Sequence, residues 1–174
     1  LVNNAGINRR GPLLELTPDD WHATMRVNVD AMFYLCREAI PHMIEQGGGA
    51  IVNTSSGAGL IGFPGMCPYV AAKHGVVGIT KVTALETATD NITANAICPG
   101  FVLTPLVEKQ IPDTAKARGI TEEQVKRDVL LAAQPTKQFV TTEQVAGTAL
   151  FLCSDAAASI TGTNISVEGG WTAH

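Results

Sequence analysis

Short runs of apolar and β-branched residues alternate with longer helical stretches along this chain. The runs at residues 50–54, 92–98 and 164–167 each have the length and composition of a buried strand. Apolar residues recur at helical spacing between them. This alternation predicts βαβ units, and therefore an α/β fold in which a doubly wound parallel sheet is covered by helices on both faces.

The first helix is predicted to begin at the T-P-D-D segment, residues 17–20. A threonine there can cap free amides, a proline suits the first helical position, and aspartates favour the positive end of the helix dipole. Pro41 predicts a kink near the end of this helix, and the glycines at 47–49 predict its stop. The face predicted to be buried carries Trp21, Met25, Val29, Met32, Cys36, Ile40 and Met43.

A second helix is predicted from about residue 69 to 88, after a loop at 55–68. Residues 101–142, called the lid from here on, show only short helical signals, the best being a capping box from Thr121 to Gln124. A connection of this length inside one domain is typical of a functional lid. A last helix is predicted to start near Thr142, ahead of the strand at 164–167.

The composition excludes several classes of function. The 174 residues suit one domain, and 45% hydrophobic with 16% charged residues is a globular balance. A net charge of -4 without a basic stripe argues against a nucleic-acid partner, and no apolar run is long enough to span a membrane. The four cysteines and four histidines show no metal-ligand spacing, so we expect reduced thiols, no metal and a cytoplasmic location.

Tyr69 and Lys73 are four residues apart on a predicted helix, so the phenol and the ammonium group share one face. A free tyrosine has a pKa of about 10. A neighbouring cation is expected to lower the pKa of Tyr69 toward working pH, as a general acid/base requires. Y-x-x-x-K is nevertheless a spacing that also occurs by chance.

Three weaker signals accompany this pair. Ser56 follows a strand and could hydrogen-bond a substrate oxygen held against Tyr69, although Ser55 is adjacent and a serine there is often only a turn former. Asn28 lies within the apolar stripe, either as a buried amide bonding backbone of the neighbouring helix or as the anchor of a proton-relay water. The N-N-A-G segment at 3–6 is either a cofactor-facing turn or a plain connection.

Taken together, these motifs resemble the short-chain dehydrogenase/reductase family along nearly the whole chain. The resemblance rests on N-N-A-G, Asn28, Ser56, Y-V-A-A-K, C-P-G-F-V-L-T-P and the terminal G-G-W. The resemblance implies a Rossmann-like sheet and hydride transfer between a nicotinamide and a carbinol carbon. It implies that Tyr69 exchanges the substrate proton, Lys73 holds the nicotinamide ribose, Ser56 orients the substrate oxygen and Asn28 completes the relay. The cofactor-binding residues that it implies are Asn4, Ala5, Gly6, Tyr69, Lys73, Pro99, Gly100, Val102 and Thr104.

The start of the chain lies inside an apolar segment, with Leu1 and Val2 as the end of a strand. Against the family pattern, the chain is one domain over 1–174 that lacks roughly ninety preceding residues, at about thirty per βα unit. Those would include the glycine-rich pyrophosphate turn and the residue that separates NAD from NADP. NAD is the expected cofactor with NADP left open, and the family resemblance implies a homotetramer.

From Tyr69 onward the chain is similar to family members that oxidise (R)-3-hydroxybutyrate to acetoacetate. This resemblance implies a small-molecule substrate that contacts Asn8, Ser56, Tyr69, Gln110 and Trp171. In those members a glutamine, a histidine and a lysine stand where this chain has Asn8, Ala58 and Met66. Either Arg9 and Arg10 supply the missing charge, or they are ordinary solvent-exposed arginines and the substrate is not a small hydroxy acid.

Two alternatives therefore remain beside 3-hydroxybutyrate oxidation. The chain could reduce another carbonyl, such as a 3-oxoacyl thioester, a sugar or a cyclic alcohol, in a less charged pocket. It could also be a non-catalytic module that keeps only the fold. The presence of Asn28, Ser56, Tyr69 and Lys73 together argues against a module without chemistry.

Overall fold

The computed structural model describes residues 1–173, apart from the side chains of Leu106 and Gln110. It contains four strands: β1 (Val2–Asn3), β2 (Gly49–Thr54), β3 (Ile92–Pro99) and β4 (Asn164–Val167). They form one sheet in the order β1-β2-β3-β4 with every pair parallel. All the carboxyl ends therefore meet at one edge, which is where open parallel sheets bind ligands.

Helices cover both faces of this sheet, which confirms the predicted doubly wound architecture. The elements are α1 (Pro18–Met25), a π-helical segment (Arg26–Asp30), α2 (Ala31–Glu45), α3 (Cys67–Glu86), α4 (Pro105–Arg118), α5 (Glu122–Gln124), a second π-helical segment (Val125–Leu130) and α6 (Thr142–Leu152). Residues of α2 and α3 pack with Ile51 on one face. Leu152 of α6 packs with Val52 on the other, as the alternation of side chains along a strand requires.

The π-helical segment explains why the predicted buried face of the first helix was partly wrong. Thr24 and Asn28 are fully buried, whereas Trp21 is 38% exposed and Met25 and Val29 are half-buried. A π-helical turn takes up more residues than an α-helical turn, so an apolar stripe at α-helical spacing shifts out of register with the core. The stripe is in register again beyond this segment, where Met32, Cys36 and Met43 are buried.

The helix boundaries also differ from the prediction in detail. Pro41 lies inside α2, which continues to Glu45, and Gly47 with φ 88° follows its end. The helix α3 begins two residues earlier than predicted, at Cys67. The capping boxes at Thr121 and Thr141 are present, which confirms the predicted helix starts there.

The lid is more helical than predicted, because α4 occupies fourteen of its residues. Thr104 caps α4, and Pro112 inside it is the residue that obscured the helix in the sequence. The lid has its own apolar cluster, made by Ile111, Ala115 and Val125. Its two ends lie side by side, since the backbone amide of Val140 donates to Phe101 over 2.9 Å and that of Leu103 donates to Val140 over 3.1 Å.

No helix among the described residues combines the length and the hydrophobicity that crossing a membrane requires.

Candidate active site

A cavity of about 770 Å³ opens at the carboxyl ends of the strands, between β1, β2, β3, the first half of α3 and the start of the lid. It brings together most of the residues that the sequence pointed to. Those that line it are Asn4, Gly6, Asn8, Ser56, Tyr69, Lys73, Pro99, Gly100, Val102, Thr104 and Trp171. Ala5 is exposed and does not line this cavity, and the side chain of Gln110 lies outside the described residues.

Lys73 brings a buried ammonium group into the cavity. Its side chain is 3% exposed, and Nζ donates a 2.7 Å hydrogen bond to the carbonyl oxygen of Thr54 at the end of β2. Nζ also lies 5.6 Å from the centre of the Tyr69 ring. Burial disfavours the charged form and lowers the pKa of Lys73 to about 8.

Tyr69 differs electrostatically from the expectation. Its burial raises the pKa of the phenol, and this effect outweighs the lowering by a hydrogen bond with Ser56 and by the charge of Arg10. The predicted lowering of the Tyr69 pKa by Lys73 is therefore wrong for this structure. The cation that acts on the phenol is Arg10, while the Lys73 ammonium group donates to the carbonyl oxygen of Thr54.

The two adjacent serines have separate positions. Ser56 caps a short 3₁₀ turn, accepting a 3.2 Å hydrogen bond from the amide of Ala58, and its hydroxyl acts on the Tyr69 phenol to lower its pKa. Ser55 is 2% exposed and donates to the backbone carbonyl of Lys73 over 2.9 Å. Ser56 is therefore the one that faces Tyr69, while Ser55 fixes α3 against the strand end.

Asn28 lies behind the cavity, in the first π-helical segment. Its Oδ1 accepts from the Ile7 amide over 3.1 Å, and its Nδ2 donates to the carbonyl oxygens of Ile7 and Thr24 over 2.8 and 2.9 Å. The expected buried amide is thus present, but its main partner is the loop after β1 and not a neighbouring helix. Gly6 fits between this amide and Lys73, because a Cβ at residue 6 would lie 2.7 Å from Asn28 Oδ1.

Gln134 is a site residue that the sequence did not reveal. It is fully buried, Oε1 accepts from the Phe101 amide over 2.5 Å, and Nε2 donates to the Gln138 carbonyl over 2.7 Å. It therefore holds the turn after β3 against the far end of the lid. Because a lone glutamine in a long connection has no local signature, only the folded chain shows this role.

Aromatic rings form one wall of the cavity. Trp171 is 5% exposed, and its ring centre lies 5.5 Å from that of Phe63 and 5.8 Å from that of Phe101. The buried Ala58 and Met66 belong to the same apolar cluster. Asn8 reaches this wall, since its Nδ2 contacts Met66 Sδ at 3.1 Å, while its buried Oδ1 has no partner among the described residues.

Comparison with known proteins places this arrangement in context. A family model described as enoyl-(acyl carrier protein) reductase matches residues 1–172. The chain is 53% identical to the D-beta-hydroxybutyrate dehydrogenase of Rhizobium meliloti (strain 1021), over 99% of this chain and 67% of that protein. It is 41% identical to the 3-oxoacyl-(acyl-carrier-protein) reductase FabG of Thermotoga maritima, over 98% of this chain and 64% of that protein.

A solved structure, described as ElxO with NADP bound, superposes with a TM-score of 0.90 at 33% sequence identity. The alignment covers 99% of this chain and 66% of that one. The chain thus spans about two thirds of the length of the proteins that it matches. The extent of the domain given from the sequence stays a prediction.

Proposed function

Because the chain belongs to the short-chain dehydrogenase/reductase family of nicotinamide-dependent oxidoreductases, we propose that it interconverts a secondary alcohol and a ketone, with Tyr69 as the acid/base. The observation that carries this proposal is that Ser56, Tyr69 and the buried Lys73 line one cavity, with Lys73 Nζ 5.6 Å from the centre of the Tyr69 ring. These groups converge on one cavity at the carboxyl edge of the sheet.

The residues at this edge fit a nicotinamide cofactor. Lys73 supplies a buried donor for ribose hydroxyls. Gly6 and Gly100 keep the backbone open, since a Cβ at either would meet Asn28 or Gln134. Asn4, Pro99, Val102 and Thr104 would complete the contacts. When bound, the nicotinamide accepts or supplies the hydride.

In the oxidation direction, the substrate hydroxyl binds between Ser56 and Tyr69. The deprotonated oxygen of Tyr69 takes the hydroxyl proton during oxidation and returns it to the substrate oxygen during reduction, the direction that its raised pKa favours. Ser56 donates to the substrate oxygen and holds it in line. Lys73 keeps a positive charge beside the ring, and Asn28 fixes the loop that carries Gly6. Reduction runs through the same positions in reverse.

The proposed substrate is (R)-3-hydroxybutyrate, oxidised to acetoacetate with NAD. It is supported by the 53% identity to the Rhizobium meliloti enzyme and by Arg10 at the cavity. A cytoplasmic location and a homotetramer stay predictions.

A second candidate is reduction of a 3-oxoacyl thioester. The buried, uncharged Ala58 and Met66 favour it, since they give an apolar wall to a longer chain, and so does the 41% identity to the Thermotoga maritima reductase. Because Ser56, Tyr69 and Lys73 line one cavity with Asn28 behind it, we do not favour a module without chemistry.

The experiment that separates these candidates follows nicotinamide absorbance with the full-length protein. We expect turnover of (R)-3-hydroxybutyrate with NAD that exceeds reduction of an acetoacetyl thioester with NADPH. The opposite order of kcat/KM would replace the first candidate by the second. Absence of turnover with either substrate and either cofactor would refute both.

A further inference from the structure

The charges around the cavity are of one sign. Arg9, Arg10 and Lys73 line it, and no carboxylate is found among the described residues that do so. Lys73 is buried and donates to a backbone carbonyl, so the arginines are the cations open to a ligand. A cavity of this kind attracts an anion and repels a cationic substrate.

We propose that Arg10 binds the negatively charged group of the substrate and that Asn8 positions its guanidinium group. The inference rests on the proposed function, which it deepens by assigning the substrate to the hydroxy and oxo acids. Similar family members have a histidine and a lysine where this chain has Ala58 and Met66. The inference gives their role as charged or polar partners of the substrate anion to a cation from the loop after β1.

Arg10 is favoured over Arg9 because the two side chains act on different neighbours. The charge of Arg10 acts on the phenol of Tyr69, whereas that of Arg9 acts on Asp20 at the start of α1. Among the described residues neither arginine forms an ion pair, so the difference between them lies in these neighbours. A guanidinium group binds a carboxylate through two parallel hydrogen bonds.

Within the described part of the chain, Asn8 has an unsatisfied amide oxygen near Arg10 in sequence. Its Oδ1 is buried and lacks a donor among the described residues, two positions before Arg10 on the same loop. Such an acceptor is costly to bury unless a donor satisfies it. The guanidinium group of Arg10 has about five N–H donors. Two of them can bind a carboxylate while another donates to Asn8 Oδ1. The Nδ2 of Asn8 is held at Met66, so the amide is a fixed support for this cation.

The apolar wall limits what lies between the reacting carbon and the anion. Ala58, Met66 and Trp171 are all buried and pack against Tyr69. The segment of substrate beside them is therefore an alkyl chain without polar groups. A carboxylate on such a chain, with the alcohol at Tyr69, has the chemistry of a hydroxy acid.

The test compares Arg10→Gln with the matched control Arg9→Gln in the full-length protein. The substrates are (R)-3-hydroxybutyrate and its methyl ester, which has the same carbinol without the charge. We expect Arg10→Gln to lower kcat/KM for the acid about 10- to 100-fold, mainly through KM. The ester should change by less than about twofold in the same variant, and Arg9→Gln should leave both substrates nearly unchanged.

Equal losses with acid and ester would overturn the inference, because Arg10 would then act through Tyr69 and not on the anion. A loss confined to Arg9→Gln, or no loss in either variant, would overturn it as well. Asn8→Ala tests the support: we expect a rise in KM for the acid only, smaller than that of Arg10→Gln.

Ligand-observed NMR titrations with butyrate and butyramide test anion binding without turnover. If butyrate binds and Arg10→Gln abolishes this binding while 3-hydroxybutyrate is not oxidised, the proposed function fails and the anion site stands. If wild-type protein binds butyrate no better than butyramide, the anion site is refuted whatever the protein oxidises.

Discussion

Lys73 Nζ donates a 2.7 Å hydrogen bond to the carbonyl oxygen of Thr54, which ties the middle of the active-site helix to the end of the adjacent strand. The bond compensates part of the cost of burying an ammonium group at 3% exposure. It also places that group 5.6 Å from the Tyr69 ring centre. A side chain that stabilises the fold is thus also part of the proposed reaction centre.

This burial predicts a pH effect on stability. The pKa of Lys73 falls from about 10.5 to about 8 on folding, so above pH 8 the unfolded chain binds more protons than the folded one at this residue. The contribution of Lys73 to the free energy of unfolding should therefore rise between pH 8 and 10.5, and stay constant at its low value below pH 8. The full rise is on the order of 3 kcal/mol.

The measurement is the free energy of unfolding in urea at pH 7, 8 and 9. The value for Lys73→Met is subtracted from that for wild type at each pH. Burial raises the pKa values of the thiols of Cys36 and Cys98 and of the phenol of Tyr69, so their titration lowers the free energy of unfolding only above pH 9 to 10, beyond the range measured. Parallel pH curves for the two proteins would contradict the prediction.

Replacing Tyr69 by phenylalanine should remove the proton-transfer group while keeping the ring. We expect kcat to fall roughly 10²- to 10⁴-fold, the usual contribution of a general acid/base. The ring packs in the cluster around Trp171, so the melting temperature should stay near that of wild type. Turnover unaffected by this substitution would remove Tyr69 from the mechanism.

The Asn28 amide should be a large single contributor to stability among the polar residues of the site. Asn28→Ala removes three hydrogen bonds and leaves the amide and carbonyl of Ile7 without their partner, so we expect a loss of about 2–3 kcal/mol in the free energy of unfolding. The control is Asn164→Ala in β4, whose Oδ1 has no partner among the described residues. Similar losses in both variants, measured by urea unfolding, would rule out the special role of Asn28.

Replacing either of two glycines by alanine should change the stability of the protein, in opposite directions. Gly78 lies in α3 with open space where a Cβ would stand, so Gly78→Ala should stabilise the protein by about 0.5–1 kcal/mol. At Gly59 the Cβ would lie 2.8 Å from the carbonyl oxygen of Lys73, so Gly59→Ala should destabilise it. Thermal unfolding of the two variants checks both signs at once.

The strands, a parallel sheet and the pairing of Tyr69 with Lys73 could be predicted because their signals are local, and Ser56 is added by its spacing and the family resemblance. Two of these residues are four apart on one helix, and a strand of apolar residues needs no distant partner to be recognised. The proximity of Arg10 to Tyr69 could not be predicted in this way, since it depends on how the loop after β1 folds over the start of α3. The burial of Gln134 has the same origin.

The first helix shows a different limit. Its apolar stripe is predicted at a constant α-helical period, but the π-helical segment at Arg26–Asp30 changes that period. Asn28 lies in this segment, and its side chain bonds the backbone of Ile7. An exception to regular helix geometry thus coincides with a functional candidate, as is common for π-helical turns.

The paired ends of the lid have a consequence for how this protein could change over evolution. Residues 103 and 140 are joined by a backbone hydrogen bond, so the segment between them starts and finishes at nearly the same place. The segment has an apolar cluster of its own, and on the side of the sheet its Ala133 packs against the Trp171 cluster. A connection with neighbouring ends tolerates changes of length and sequence at its outer surface. Residues of its outer part, beyond Thr104, can therefore vary while Ser56, Tyr69 and Lys73 keep their positions.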